Sequence, residues 1–430
     1  MAKPPVSATL FAYQVGFGDA FLLRFTYEDG RRRHVLIDFG TTSLPKHVPA
    51  DHMVRVARDI SARCTEGGNR LDVVVATHRH ADHVSGFATR ADGSGSGDVI
   101  RALKPRVVIQ PWTEAEEAPL DWLGPEKSDP AQAFARRRRS LEAMHEAAGQ
   151  ALEFVNTPGR RMAGAVAAQL AFIGEDNLSN ASAVRNLMTM GGRREYVFHG
   201  ADPKLGRVLP GLKVHVLGPP TLRQTETIRK QRSRDEDEFW QLAPKRLAEA
   251  TASRAAGGLF PAADTFSKLP TEHRWLARRL DEANAELMLG LVRALDKQMN
   301  NTSVILLFKA GSKSLLFPGD AQWENWAYAL NSSLAPLLDD VDLYKVGHHG
   351  SLNATPHSMW RRFGKRGTAG RPGRMTSVLS TKHGKHGSEA KRTEVPRRTL
   401  LDALEDQTNL HNTEKLPDDA LCKAIEIDLR

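Results

Sequence analysis

The sequence predicts an α/β sandwich, one large domain over 1–430 with helical insertions. Two observations predict it: short apolar runs of strand length stand at both ends of the chain with helical, charge-mixed stretches between them, and several of these runs end directly in turns rich in His and Asp. The 430 residues are 40% hydrophobic and 26% charged, a balance that excludes wholesale disorder, collagen and coiled coil. No run approaches the ~18 apolar residues of a membrane helix. The opening MAKPPVSATLFAYQVG lacks the charged and apolar regions of a secretory signal, so a cytoplasmic protein is expected. Two cysteines, Cys64 and Cys422, make neither a disulfide framework nor a Cys-rich zinc site. Any metal must therefore be held mainly by His and carboxylates.

Thr9–Tyr13, Ala20–Phe25 and Val35–Asp38 read as strands, with Gly16 and Gly18 between the first two. Asp51 is placed to cap a helix carrying Met53, Val54, Ala57 and Ile60, which stops at Gly67-Gly68. Leu71–Ala76 is a mostly apolar run, as in a sheet covered on both faces. Asp92–Asp98 reads as a flexible loop, and Val107–Gln110 and Lys213–Leu217 as further strands. Ser128-Asp129-Pro130 opens a helix within an insertion at 114–150, whose Arg136–Arg139 run reads as a solvated face. A second helical insertion or cap is expected at 221–299, where Trp275, Leu276, Leu280, Ala283, Leu287, Leu291 and Leu295 recur at helical spacing. Strands return at Ser303–Phe308, Ser314–Phe317, Leu343–Val346, Ser377–Ser380 and Ala424–Leu429.

The strongest local signal is His78-x-His80-x-Asp82-His83, delivered at the end of an apolar strand, where α/β folds place their sites. Residues two apart in an extended turn point the same way, so His78 and His80 can bind one metal together while Asp82 and His83 face a neighbouring position. Leu315–Asp320 places an acid, able to bridge two metals, at the end of another strand. Leu343–Ser351 ends likewise in His348-His349-Gly350-Ser351, a turn that can ligate a metal or hold a substrate oxyanion.

With these motifs in hand, the chain resembles the metallo-β-lactamase fold, an αββα sandwich, and within it the branch typified by the hydrolase domain of the DNA-uptake protein ComEC. Val15-Gly16-Phe17-Gly18-Asp19-Ala20 matches that branch's V-G-x-G-D-A turn and Ile37-Asp38-Phe39-Gly40 its I-D-x-G. The His78 cluster, Asn300-Asn301-x-Ser303, Pro318-Gly319-Asp320 and the His348–Ser351 turn follow in the family's order. The resemblance implies one metal at His78 and His80, a second at Asp82 and His83, Asp320 as the bridge, and His348 or His349 completing the second site or contacting substrate. Zn²⁺ is expected at these two sites, because His80 makes the site rich in nitrogen donors, with Mn²⁺ as the alternative. Lys345, Ser351, Asn301 and His386 are the candidate substrate contacts, with His383 competing with His386. The chain departs from the pattern in three places. Gly218-Pro219-Pro220 stands where a third metal histidine is expected, and the nearby His199 and His215 read as structural. The branch often has Asp where this chain has His80. The late G-H-P turn of the branch appears as Gly384-Lys385-His386-Gly387, without proline.

The resemblance implies a metal-dependent hydrolase in which two metals activate a water, Asp82 orients it or accepts its proton, and His348 or His349 neutralises the oxyanion or protonates the leaving group. Charge points to the substrate. The basic, glycine-rich segment 361–398 carries twelve Lys/Arg against two Glu, a net of +10 in a chain of net +9. Such a concentration is the footprint of a polyanion partner. A phosphodiesterase acting on nucleic acid is therefore the leading expectation. The rivals are a hydrolase of a small ester, lactone or phosphoester, and a partner-binding component of a multi-protein system.

Overall fold

Two β-sheets carry the fold, with helices on their outer faces. A computed structural model describes residues 3–115, 181–221, 224–225, 300–351, 354–387 and 394–430. In chain order the elements are β1 Ser7–Tyr13, β2 Ala20–Thr26, β3 Arg32–Phe39, α1 His52–Thr65, β4 Leu71–Val75, α2 Ala81–Val84, α3 Ser96–Ala102 and β5 Val107–Pro111. After these come α4 Ala181–Thr189, β6 Arg193–Val197, β7 Leu212–Gly218, β8 Ile305–Ala310, β9 Lys313–Phe317, α5 Trp323–Leu330 and β10 Leu343–Lys345. The last are α6 His357–Arg362, β11 Thr376–Leu379, α7 Arg398–Gln407, β12 Asn409–Asn412 and β13 Cys422–Asp428. The first sheet runs β13-β1-β2-β3-β4-β5-β6 and the second β12-β11-β10-β9-β8-β7. Both are mixed: β3 to β6 and β9 to β12 run parallel, and the remaining pairs are antiparallel.

The side-chain alternation of each strand decides what it covers. Phe21, Leu23 and Phe25 of β2, with Leu306, Phe308 and Ala310 of β8, enter a core drawn from both sheets. There Phe25 stands 6.2 Å from Phe308, and Phe21 6.3 Å from Phe317, ring centre to ring centre. The opposite face of the first sheet, with Leu22 and Leu36, packs under Val56, Ala57 and Ile60 of α1, Ile100 of α3 and Leu187 of α4. That of the second, with Ile305 and Leu307, packs under Trp326 of α5, Met359 and Trp360 of α6 and Leu404 of α7. Covered on both sides, β4 is buried at all five positions.

Differences from the sequence reading are local. The Asp92–Asp98 stretch is a loop only as far as Gly95: the Asp98 carboxylate accepts the Gly95 N–H at 2.9 Å and starts α3. Asp51 stands at the N-cap of α1, but its side chain makes no capping bond. Helices α4 to α7 and strands β6 and β12 were not among the expected elements. All the elements belong to one unit that gathers Met1–Ala115, Ser179–Thr221 and Met299–Arg430. Glu116–Leu178 and Leu222–Gln298 form a second unit, which apart from Gln224 and Thr225 lies outside the described residues. The insertions expected at 114–150 and 221–299 fall there almost entirely. No helix among the described residues is long and apolar enough to cross a membrane.

Phe308 is wholly buried between the sheets. Phe308→Ala should lower the unfolding free energy by about 3–5 kcal/mol, read as a lower urea midpoint at unchanged slope.

Candidate metal centre

The parallel strands of both sheets deliver their C-terminal ends to one place. From the first sheet come Asp38, near the end of β3, and the Thr77–His83 turn after β4; from the second come Asp320 after β9, His348 and His349 after β10, and Ser380 after β11. Asp19 joins them because it precedes β2, whose Ala20 lies opposite Phe39. The His turn is pinned before it begins: Thr77 donates its N–H to Asp38 Oδ1 at 2.7 Å and its hydroxyl to Asp38 Oδ2 at 2.8 Å. His80 then caps α2, its carbonyl accepting the N–H groups of His83 and Val84 at 3.0 Å, so one helical turn brings His83 back toward the cluster. Gly40 makes room for that turn, since a Cβ there would lie 2.5 Å from the Asp82 carbonyl carbon. At Gly319, φ is +56° and a Cβ would lie 2.7 Å from Thr77 Oγ1.

Among the described residues three groups could hold a cation: one is Asp19, Asp38 and His83, and the other two adjoin through Asp82. Donor atoms of Asp82, His83, Asp320 and His349 lie within 4.8 Å of one another, as do those of His78, His80 and Asp82, and every one of these residues is buried. Asp82 is common to both groups, the place the resemblance gives to Asp320. His349 Nε2 lies 2.8 Å from Asp82 Oδ2 and His83 Nε2 3.1 Å from Asp320 Oδ2. His78 Nε2 is 3.0 Å from His80 Nδ1. The far nitrogens of the central imidazoles are fixed from outside: His83 Nδ1 by Asp38 Oδ2 at 2.7 Å, and His349 Nδ1 by the Ser380 carbonyl at 3.0 Å. A second nitrogen anchored in this way is the usual support of a metal-ligating histidine.

Electrostatics show what the cluster needs. Burial alone would raise Asp82 and Asp320. The imidazoles outweigh it, His83 and His349 at Asp82 and His83, His348 and His349 at Asp320, and hold both carboxyls well below their ordinary range. Burial opposes the cations of His83 and His349, yet the surrounding carboxylates, Asp320 first, raise both imidazoles above their usual value. His78 is pushed far down by burial and by His83 and His80, which keeps it in the neutral form a metal requires. Asp82 Oδ1 is buried and accepts no hydrogen bond from any described residue. Nitrogen and carboxylate donors, buried and converging, with a carboxylate oxygen left over, could hold a metal ion.

Lys345 departs from the substrate role expected for it. It is 2% exposed, and its ammonium is taken by Asp19 Oδ2, by the Gly319 carbonyl at 3.3 Å and by Asp320 Oδ1 at 3.6 Å. It is an internal counter-ion. Asn301 donates its amide to Glu324 at 2.8 Å, on the rim. The Ser351 hydroxyl and His348 Nδ1 are 2.8 Å apart, with His348 Nε2 3.8 Å from Asp320 Oδ2. His386 stands one layer back: its ring meets Phe17 edge-on at 4.2 Å, and Phe17 lies 4.3 Å from His349. Burial and the neighbouring Lys385 push His386 down to about 3. His383 is exposed, its N–H donated to Glu414 at 2.7 Å. His199 bonds the Leu217 carbonyl at 2.7 Å, and His215 lies within β7. The residues not foreseen as site members are Asp19, Asp38 and Thr77. The first two stood inside the glycine-turn motifs quoted above, which was the available signal.

The basic segment is divided by β11. Arg362 pairs with Asp339 at 3.0 Å, and Lys365 with Asp340 at 2.7 Å and Asp342 at 2.8 Å. Arg374 bonds the Asp406 carbonyl at 2.6 Å. These partners precede β10 or end α7, so this half lies at the N-terminal ends of the strands, away from the cluster. Lys382 and Lys385, beyond β11, lie at the cluster's end.

No protein-family model matches the chain, and no curated protein matches it.

Two measurements probe the cluster. Lys345→Met leaves Asp19 buried without its counter-ion and should cost about 3–5 kcal/mol of stability, seen in urea unfolding. In metal-free protein, the raised pKa of His83 and His349 contributes stability that is complete below the unfolded value of about 6.5 and is lost as pH rises through the folded values. Zinc requires the neutral imidazoles. The rise in melting temperature on adding Zn²⁺ should therefore be larger at pH 8.5 than at pH 6. An equal rise at both pH values would contradict this account.

Proposed function

We propose that this chain is a metal-dependent hydrolase of phosphodiester bonds, built on the metallo-β-lactamase fold and akin to the ComEC-type hydrolase domain. The observation that carries the reading is the pair of adjoining His/Asp groups sharing Asp82, at the converging strand ends of two facing sheets. The helix–sheet–sheet–helix layering and the motif order support the fold assignment. The phosphodiester preference rests on the ComEC resemblance and the net charge of +9.

His78, His80 and Asp82 would hold one cation, and Asp82, His83, Asp320 and His349 another. Bound there, a divalent cation supplies Lewis acidity, polarising a phosphoryl oxygen and acidifying water beside it. The remaining work falls to the chain. Asp82 Oδ1, with no hydrogen bond from the described residues, orients the attacking water and takes its proton. Asp38 and Ser380 hold His83 and His349 in register. His348, whose side chain is 26% exposed, is the imidazole that faces outward. Steadied by Ser351, it donates a proton to the departing oxygen.

The test is hydrolysis of bis(p-nitrophenyl) phosphate against p-nitrophenyl acetate, before and after chelation and with Zn²⁺ or Mn²⁺ restored. The diester should be the better substrate, its cleavage should vanish on chelation, and Asp82→Ala should lower kcat by about 10²–10⁴-fold. Undiminished activity in Asp82→Ala or after chelation would overturn the mechanism, and cleavage of the acetate alone would overturn the substrate class.

A further inference from the structure

We propose that the open edge of the cluster is a nucleotide-recognition rim in which Trp323 stacks a base while Lys46 and Lys385 receive a backbone phosphate of a single strand. The proposal rests on the phosphodiesterase reading and names its substrate.

Trp323 is the one exposed large hydrophobic side chain among the described residues, 48% exposed. It opens α5 three residues after Asp320, at the end of the sheet where the cluster lies. Its helix is firmly seated below it: Trp326, one turn on, is fully buried and donates its indole N–H to the Ala354 carbonyl at 3.1 Å, and Asn325 donates to the Ser303 carbonyl at 2.9 Å. A large aromatic on a firmly seated helix, three residues from a candidate ligand and left open to solvent, has the properties of a stacking platform, since every base offers a π-face.

The lysines stand beyond β11. Lys382 donates to Ser43 Oγ at 2.8 Å and to the Leu44 carbonyl at 2.6 Å, which ties the 43–46 loop to the 380–387 loop. The turn that follows, in which the Lys385 N–H meets the Lys382 carbonyl at 3.4 Å, brings Lys385 to the same edge. Burial, then the charges of Lys385 and Lys46, lower the Lys382 pKa against the opposing charge of Glu414, which sets both lysines near Lys382. Lys46 and Lys385 have no ion-pair partner among the described residues. Beneath them the rings of His386, Phe17 and His349 stack toward the cluster.

In the second sheet β10 lies between β9 and β11. Trp323 follows β9 and Lys385 follows β11, so along the sheet they stand on opposite sides of the His348–His349 turn, which follows β10. An aromatic on one side of the ligands and paired cations on the other fit a base and a phosphate of the same strand.

Binding of a phosphorothioate-linked single-stranded oligonucleotide and of its abasic counterpart, followed by fluorescence anisotropy across a salt series, tests this with the full-length protein. Wild type should prefer the base-bearing strand. Trp323→Leu should lose that preference, weakening the base-bearing strand by roughly 5–100-fold, whereas Trp323→Phe should retain it. The Lys46→Glu/Lys385→Glu double variant should weaken both strands and flatten the salt slope by about 0.7 for each phosphate no longer neutralised. Equal affinity for the two strands in wild type, an undiminished preference in Trp323→Leu, or an unchanged slope in the lysine variant would overturn the rim. The two proposals fail separately: a wild type that shows this binding pattern but leaves bis(p-nitrophenyl) phosphate uncleaved retains the rim and loses the phosphodiesterase reading.

Discussion

Four carboxyl groups, Asp19, Asp38, Asp82 and Asp320, are buried around one permanent cation, Lys345. Burying charge of one sign is costly unless cations or donors meet it, and most of the local architecture meets that requirement. Lys345 holds Asp19, and Thr77 satisfies Asp38 twice. His83 lies between Asp38 and Asp320, and His349 against Asp82. When the imidazoles are protonated they balance the acids themselves. When they are neutral the acids call for an external cation, and the same nitrogens are then available to bind it. The cluster is thus an arrangement in which protons and a metal ion, were one bound, would compete for one set of atoms.

Backbone strain accompanies this arrangement. Among the described residues, six that are not glycine have positive φ, and three of them are Asp38, His348 and His349, at +54°, +44° and +51°. Each such residue costs about 1–3 kcal/mol and persists only where its surroundings over-determine it. Here they do: the His348 N–H is donated to Asp320 Oδ1 at 3.1 Å, and the Ser351 N–H returns to the His348 carbonyl at 2.8 Å. The two consecutive left-handed residues turn one imidazole inward to Asp82 and leave its neighbour at the rim. A relaxed extended turn would send the two side chains to opposite faces of the chain.

The sequence disclosed the strands whose pattern is set by burial alone. Leu71–Ala76 and Ser303–Phe308 read clearly because they are apolar runs bounded by polar turns. The helices α4 to α7 did not read, being short, six to ten residues, and amphipathic only against a sheet whose position sequence does not state. Among the candidate ligands, those in dense motifs were legible. Asp19 and Asp38 belong to the same cluster but stand alone beside glycines, where an acid ordinarily marks a turn. Lys345 misled because a lysine at a strand end usually reaches water. In β10, buried at all three positions, it had no such route.

Charge shows the same limit. Summed along the sequence, 361–398 is the outstanding basic region of the chain. Folding places β11 across its middle and divides it between the two ends of the sheet. At one end Asp339, Asp340 and Asp342 neutralise Arg362 and Lys365. These are ordinary partly exposed ion pairs, worth little to stability, but they remove those cations from any field at the cluster. At the other end Arg397 and Arg398 pair with Glu394 and Asp402, which leaves Lys382 and Lys385 among the described residues of the segment, and the rings of His386 and Phe17 lead from their loop to His349. Solvent screens a charge less the nearer it stands to a buried group. An anion bound at the cluster, as proposed, would feel the two lysines there more strongly than the arginines at the far end, one strand length and more than a Debye length of about 8–10 Å away.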